Sequence, residues 1–99
     1  MTTLPDRASA EALGERLVQR QLAACVTIGA PVTSIYRWDD AVQRDAELVL
    51  TIKTRQARFA DVRDAIVAFQ PYEPPEVIAV PITAGYDDYL AWITTCTET

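Results

Sequence analysis

The feature that most constrains this sequence is a pair of long β-type runs meeting at Asp39-Asp40. Residues 42–54 alternate cleanly. Ala46, Leu48, Leu50 and Ile52 share one face, and Glu47, Val49, Thr51 and Lys53 share the other. That is the pattern of a strand with one face on a core. Before the reversal, residues 22–28 (LAACVTI) and 33–38 (TSIYRW) are rich in β-branched and aromatic residues, with Gly29-Ala30-Pro31 between them. A Gly and a Pro inside such a run predict a bulge or bend in one long strand. A strand of roughly 13 residues reaches about 43 Å. The second helical pattern, about 15 residues, reaches about 22 Å. The chain's own helices are therefore too short to cover the hairpin. Its outer half carries Ile35, Tyr36, Trp38 and Val42. These are expected to bury against neighbouring copies in a closed, symmetric assembly.

The flanking segments complete a fold. Residues 1–4 read as a short strand and Asp6 as a helix N-cap. Residues 8–21 are strongly helical, with Ala10, Leu13, Leu17 and Val18 as a narrow apolar stripe, weakened by Gly14. Thr54 is expected to cap a second helix, in which Phe59, Val62, Ile66 and Phe69 form the core-facing stripe. The connection FQPYEPPEV (residues 69–77) is stiffened by three prolines. Residues 77–82 (VIAVPI) read as a buried fourth strand. Gly85-Tyr86-Asp87-Asp88 opens a last helix with an apolar side of Tyr89, Leu90, Trp92 and Ile93. Asp87 and Asp88 complement its dipole. The order is the split βαβ pattern: an α+β, ferredoxin-like βαββαβ sandwich with an extra C-terminal helix.

With 99 residues and 49% hydrophobic content, one domain over residues 1–99 is expected. A net charge of −5 argues against nucleic acid or an anionic membrane as partner. The two cysteines, Cys25 and Cys96, form no framework, and the N-terminus lacks a signal-peptide pattern. A cytoplasmic setting is expected. There is no histidine and there are only three glycines. The common general base, the common transition-metal ligand and a Gly-rich phosphate loop are thereby missing, and no enzyme activity is expected.

The pieces LAACV, TSIYRW, ELVLTIKT, QPYEPPEVIAVPI and YLAWI, in that order through nearly the whole chain, resemble the CutA divalent-cation tolerance family. The resemblance implies a homotrimer with interlocked hairpins and a role in tolerance of copper and other divalent cations. It also implies a likeness to the trimers of nitrogen-regulatory signalling proteins, and so an alternative role as a small-ligand sensor or scaffold. Copper ligands proposed for bacterial members match Thr2, Phe69 and Gln70 here, none of them a good copper ligand. Family members usually carry more apolar residues before the first turn, so the first strand reads as shortened.

Candidate ligand-binding residues in an inter-subunit cleft are Cys25, Lys53, Tyr72, Glu73 and Glu76. Cys25 reads either as a small core residue or as a thiol lining a cleft. Lys53 reads either as a solvated lysine or as the positive end of a site for an anionic ligand. Tyr72, Glu73 and Glu76 read either as part of a rigid loop or as a pre-ordered rim whose oxygens suit hard cations. Asp39, Asp40, Asp45 and Glu47 form an acidic cluster near the reversal, either solvated or a weak cation site. Cys96 reads as incidental. No resident cofactor is expected beyond a weakly held divalent cation such as copper, zinc or magnesium.

Overall fold

The computed structural model describes residues 1–70 and 72–98. Pro71 of the proline-rich connection lies outside the described residues. The two long runs form the expected hairpin. Strand β2 spans Cys25–Trp38, β3 spans Ala41–Lys53, and they pair antiparallel from Cys25↔Lys53 out to Trp38↔Ala41. Asp39 and Asp40 both take positive φ, 55° and 59°. That is the mirror-image two-residue turn that matches strand twist. The pairing shifts between Ile28↔Leu50 and Pro31↔Leu48, so two residues, Gly29 and Ala30, oppose Val49 alone. This is the bulge that the Gly-Ala-Pro interruption predicts.

Strand β1 (Thr2–Leu4) pairs antiparallel with the inner half of β3, giving the order β1-β3-β2. Helix α1 spans Arg7–Gln19, with Asp6 Oδ1 accepting from the Ser9 N–H at 2.8 Å. It ends in a Schellman arrangement. Gln21 sits at φ 59°, its N–H bonds Val18 O, and the Leu22 N–H bonds Leu17 O. This turn takes residues 22–24 out of the expected strand, which starts only at Cys25. Ala10, Leu13 and Leu17 are buried as expected, but Val18 is exposed. Gly14 is buried because β2 lies close: a Cβ there would sit 3.3 Å from Val26 Cγ1.

A single 3-10 turn, Gln56–Arg58, leads into helix α2, Phe59–Phe69. Thr54 does not cap it. Its hydroxyl donates instead to Leu22 O at 2.7 Å, tying the end of β3 to the α1–β2 turn. Val62, Ala65 and Ile66 enter the core beside Leu4, Leu13, Leu17, Leu48 and Leu50. Phe59 and Phe69 are only half-buried, and Phe69 lies under the Arg16 guanidinium, 5.7 Å from the ring centroid.

Among the described residues there is no fourth strand. Residues 77–82 are tied to Met1 by two hydrogen bonds, with the Ile78 N–H on Met1 O at 3.2 Å and the Met1 ammonium on Ile78 O at 2.6 Å, and Val77 packs against the core. Burial lowers the pKa of that ammonium, and Glu76 partly opposes the shift. Farther along the same β1 edge, the Thr3 carbonyl is taken by the Gln70 side-chain amide at 2.7 Å. A side chain thus replaces part of the backbone ladder that a fourth strand would supply. Ile78, Val80 and Ile82 are 53, 71 and 54% exposed, against the expectation of a buried strand. The last helix, α3, spans Asp87–Cys96. The expected apolar side is mostly outside the core: Ile93 is buried, whereas Tyr89 and Trp92 are exposed.

Candidate functional site

The period of two along β2 and β3, read through the bulge, decides which side chains meet. On the inner half, Val26, Ile28, Leu50 and Ile52 turn towards the helices. Cys25, Thr27, Thr51 and Lys53 therefore share the helix-free face. Cys25 and Lys53 are directly opposed, as a thiol-activating pair would need. The Lys53 ammonium, however, donates to the Thr27 hydroxyl, and the Cys25 sulfur lies 3.9 Å from that same hydroxyl. Among the described residues no carboxylate pairs with Lys53. Thr27 is the link that the sequence reading did not single out.

The second cluster lies at the root of the outer arm. Past the bulge, Ser34 and Tyr36 fall on the same face as Asp45 and Glu47. The Ser34 hydroxyl donates to Glu47 and the Tyr36 phenol to Asp45. Tyr72 reaches Glu47 from the proline-rich connection. Partial burial, then the charge of Glu47 and a hydrogen bond to it, push the Tyr72 phenol up to about 12. The hydrogen bond to Asp45, with a smaller contribution from burial, raises Tyr36. Both carboxylates thus accept from neutral hydroxyls. The expected acidic cluster divides, because Asp39 and Asp40 are taken up by the turn while Asp45 and Glu47 turn to Tyr36, Ser34 and Tyr72.

The five candidate ligand-binding residues do not converge within one chain. Tyr72 joins Glu47, six residues along β3 from Lys53, or about 20 Å. Glu73 and Glu76 are exposed, and Glu76 acts on the Met1 ammonium. Ile35, Tyr36, Trp38 and Val42 are all exposed, at 58, 43, 52 and 67%, and no helix of this chain covers them.

Thr2, Phe69 and Gln70 occupy the positions that the family resemblance points to for copper. Thr2 is fully buried, and its hydroxyl accepts from Gln70 Nε2 at 2.8 Å. The same nitrogen donates to Thr3 O, which leaves Gln70 Oε1 buried without a partner. Two of the three positions are therefore engaged with each other in a contact that ties the end of α2 to β1. Among the described residues no group of three His, Cys, Asp or Glu side chains could hold a metal ion. Two carboxylates and two phenols on one chain give part of the oxygen shell that a hard cation takes, and well short of six ligands.

The model of the CutA1 divalent ion tolerance protein family matches residues 1–96. The chain is 43% identical to the chloroplastic protein CutA of Arabidopsis thaliana over 97% of its own length, and spans about half (53%) of that relative. It is 40% identical to the divalent-cation tolerance protein CutA of Thermus thermophilus, covering 94% of this chain and 90% of the relative. Among solved structures, the periplasmic divalent cation tolerance protein CutA from Archaeoglobus fulgidus superposes with a TM-score of 0.95 at 36% identity. That match covers 98% of this chain and 94% of the other.

Proposed function

The chain belongs to the CutA1 divalent ion tolerance protein family, and from that premise we propose that it acts without catalysis, as a self-assembling divalent-cation tolerance protein. The observation that carries this reading is the outer arm. Four large apolar side chains stand exposed on it, with the Asp45, Glu47 and Tyr72 oxygens at its root. A homotrimer would bury the arm and bring the oxygen cluster of one chain towards side chains of the next. Cation binding would then be weak and oxygen-dominated, through Glu47 and Asp45, with the Cys25 thiol as a soft ligand for copper or zinc. Because Thr2 and Gln70 bond each other, copper is not expected to bind at their positions.

Two measurements test this. Light scattering should give three times the 11.0 kDa chain mass; a monomer would sink the assembly. Calorimetry of the assembled protein with copper, zinc, nickel, magnesium and manganese should give heat with at least one ion, abolished in the Glu47→Gln, Asp45→Asn double variant. No heat from any ion would reject the cation reading.

A second reading has its own support. Lys53 is a cation on the helix-free face without a carboxylate partner among the described residues. A site for a small anionic ligand there would make the protein a sensor. A thermal-shift screen of nucleotides and organic acids separates the two readings, since stabilisation that needs no metal and disappears in Lys53→Met favours the sensor.

A further inference from the structure

Helix α3 is poorly supported by its own sequence. It has ten residues, fewer than an isolated helix needs in water. The Thr94 and Thr95 hydroxyls donate back to Leu90 O and Ala91 O, a local pairing that weakens helices. Its apolar anchoring is slight. Ile93 is the buried apolar side chain, while Tyr89 and Trp92, ring centroids 5.5 Å apart, are 42 and 44% exposed.

The C-terminal end of the helix is held by charge. Thr97 is fully buried. Arg55 donates through Nε to its hydroxyl at 2.8 Å and through Nη2 to its carbonyl at 2.6 Å. Arg58 Nε donates to the same carbonyl at 2.8 Å. The Thr97 hydroxyl passes the connection on to Ile93 O at 2.8 Å, and Arg58 is fixed in turn by Asp61, in the first turn of α2, at 3.2 Å. A continuous series of bonds therefore runs from the start of α2 into the last turn of α3. At the other end, Leu90 folds over Gly85, where a Cβ would lie 2.9 Å from Leu90 Cδ2.

We propose that Arg55 and Arg58 form a latch on Thr97, and that α3 docks and undocks as one unit under its control, with Gly85 at the opposite end of the moving element. Two features make the change two-state. Hydrogen bonds from a guanidinium are roughly twice as strong as neutral ones. Withdrawing them would leave a buried carbonyl unsatisfied, so the helix end either stays latched or leaves for water. Docked, the latch fixes where the Tyr89–Trp92 aromatic pair is presented; undocked, the pair moves with the helix.

Hydrogen exchange read by mass spectrometry on the full chain tests the latch. Arg55→Met should speed exchange over residues 87–97 by about tenfold, the loss of a charged hydrogen-bond pair. Exchange in α1 and β3 should stay unchanged. Thr97→Val, which removes only the hydroxyl's bonds, should give a smaller change in the same segment, and it serves if the arginine variant does not fold. Arg55→Lys should fall between wild type and Arg55→Met, because a lysine keeps the charge and loses the two-pronged geometry. Unchanged exchange over residues 87–97, or an increase spread evenly over α1 and β3, would overturn the proposal.

Discussion

The two halves of the hairpin have the same backbone and different means of support. From Cys25 to Ile28 and from Leu48 to Lys53, one face lies under α1 and α2 and carries Leu48 and Leu50 at 4 and 0% exposure. From Pro31 to Trp38 and from Ala41 to Ala46 the ladder continues without a break, yet Ile35, Tyr36, Trp38 and Val42 meet no helix. Cross-strand hydrogen bonding alone is therefore a poor guide to where the stability of a strand comes from. The inner half belongs to a core that this chain makes by itself. The outer half leaves its large apolar side chains exposed.

The sharpest way to break that contrast is a pair of truncations. Leu50→Ala opens a cavity under the helices and should lower unfolding free energy by about 2–5 kcal/mol in a denaturant titration. Val42→Ala should change chain stability by less than about 0.5 kcal/mol when measured at a dilution where any assembly has dissociated. A large loss from Val42→Ala under those conditions would mean that the arm has intrachain support after all.

Next in size, Ile35→Asp should leave far-UV circular dichroism intact and reduce the molar mass by light scattering. A buried interface anchor is worth about 2 kcal/mol or more. Retention of full assembly by this variant would locate the contact elsewhere. Gln70→Leu probes the inner half again, because it strips the partners from Thr2 Oγ1 and Thr3 O. It should cost about 1–3 kcal/mol. Two of the three left-handed turn residues give a finer comparison. Gln21→Gly relieves a strained φ in the turn between α1 and β2 and should raise global stability by about 1 kcal/mol. Asp40→Gly relieves the same strain at the arm tip and should slow local exchange there, with little change in the global midpoint.

The smallest effect is electrostatic. The Tyr72 phenol is raised to about 12 by burial and by Glu47, so it ionises later than an unfolded tyrosine at about 10. Its contribution to stability is complete below about pH 10 and is lost as pH rises towards 12. An ultraviolet titration of the phenolate band should show two late-titrating tyrosines, Tyr36 and Tyr72, and Glu47→Gln should bring Tyr72 back towards the ordinary value. No change in that variant would remove Glu47 as a cause.

Much of the fold was legible in the sequence for physical reasons that can be named. The alternation of Leu48, Leu50 and Ile52 gave the face of β3. Asp39-Asp40 gave the turn, Gly29-Ala30-Pro31 the bulge and Asp6 the cap. Thr54 failed as a cap because a hydroxyl next to a strand end can equally serve a distant carbonyl, here Leu22 O. Residues 77–82 failed as a buried strand because apolar content records a need for cover, not which surface provides it. For the candidate site, residue types were visible and their pairings were not. Cys25 opposite Lys53 depends on register, and Tyr36 with Asp45 depends on counting two residues against one at the bulge. The grip of Arg55 and Arg58 on Thr97, about 40 residues away, left no local signal.

The extra residue at Gly29-Ala30 works on the arm as a frameshift works on a message. Everything distal to it is read in the opposite phase. Deleting Ala30 would remove the shift together with its cause: Gly29 alone would oppose Val49, and the turn would still set Trp38 against Ala41. Ser34 and Tyr36 would keep the side of Asp45 and Glu47. Substitutions in the arm edit one side chain at a time, whereas a length change at this one point alters the bend and twist of the whole arm at once. A variant lacking Ala30 should therefore keep the Ser34–Glu47 and Tyr36–Asp45 pairs while the arm leaves the sheet in a different direction.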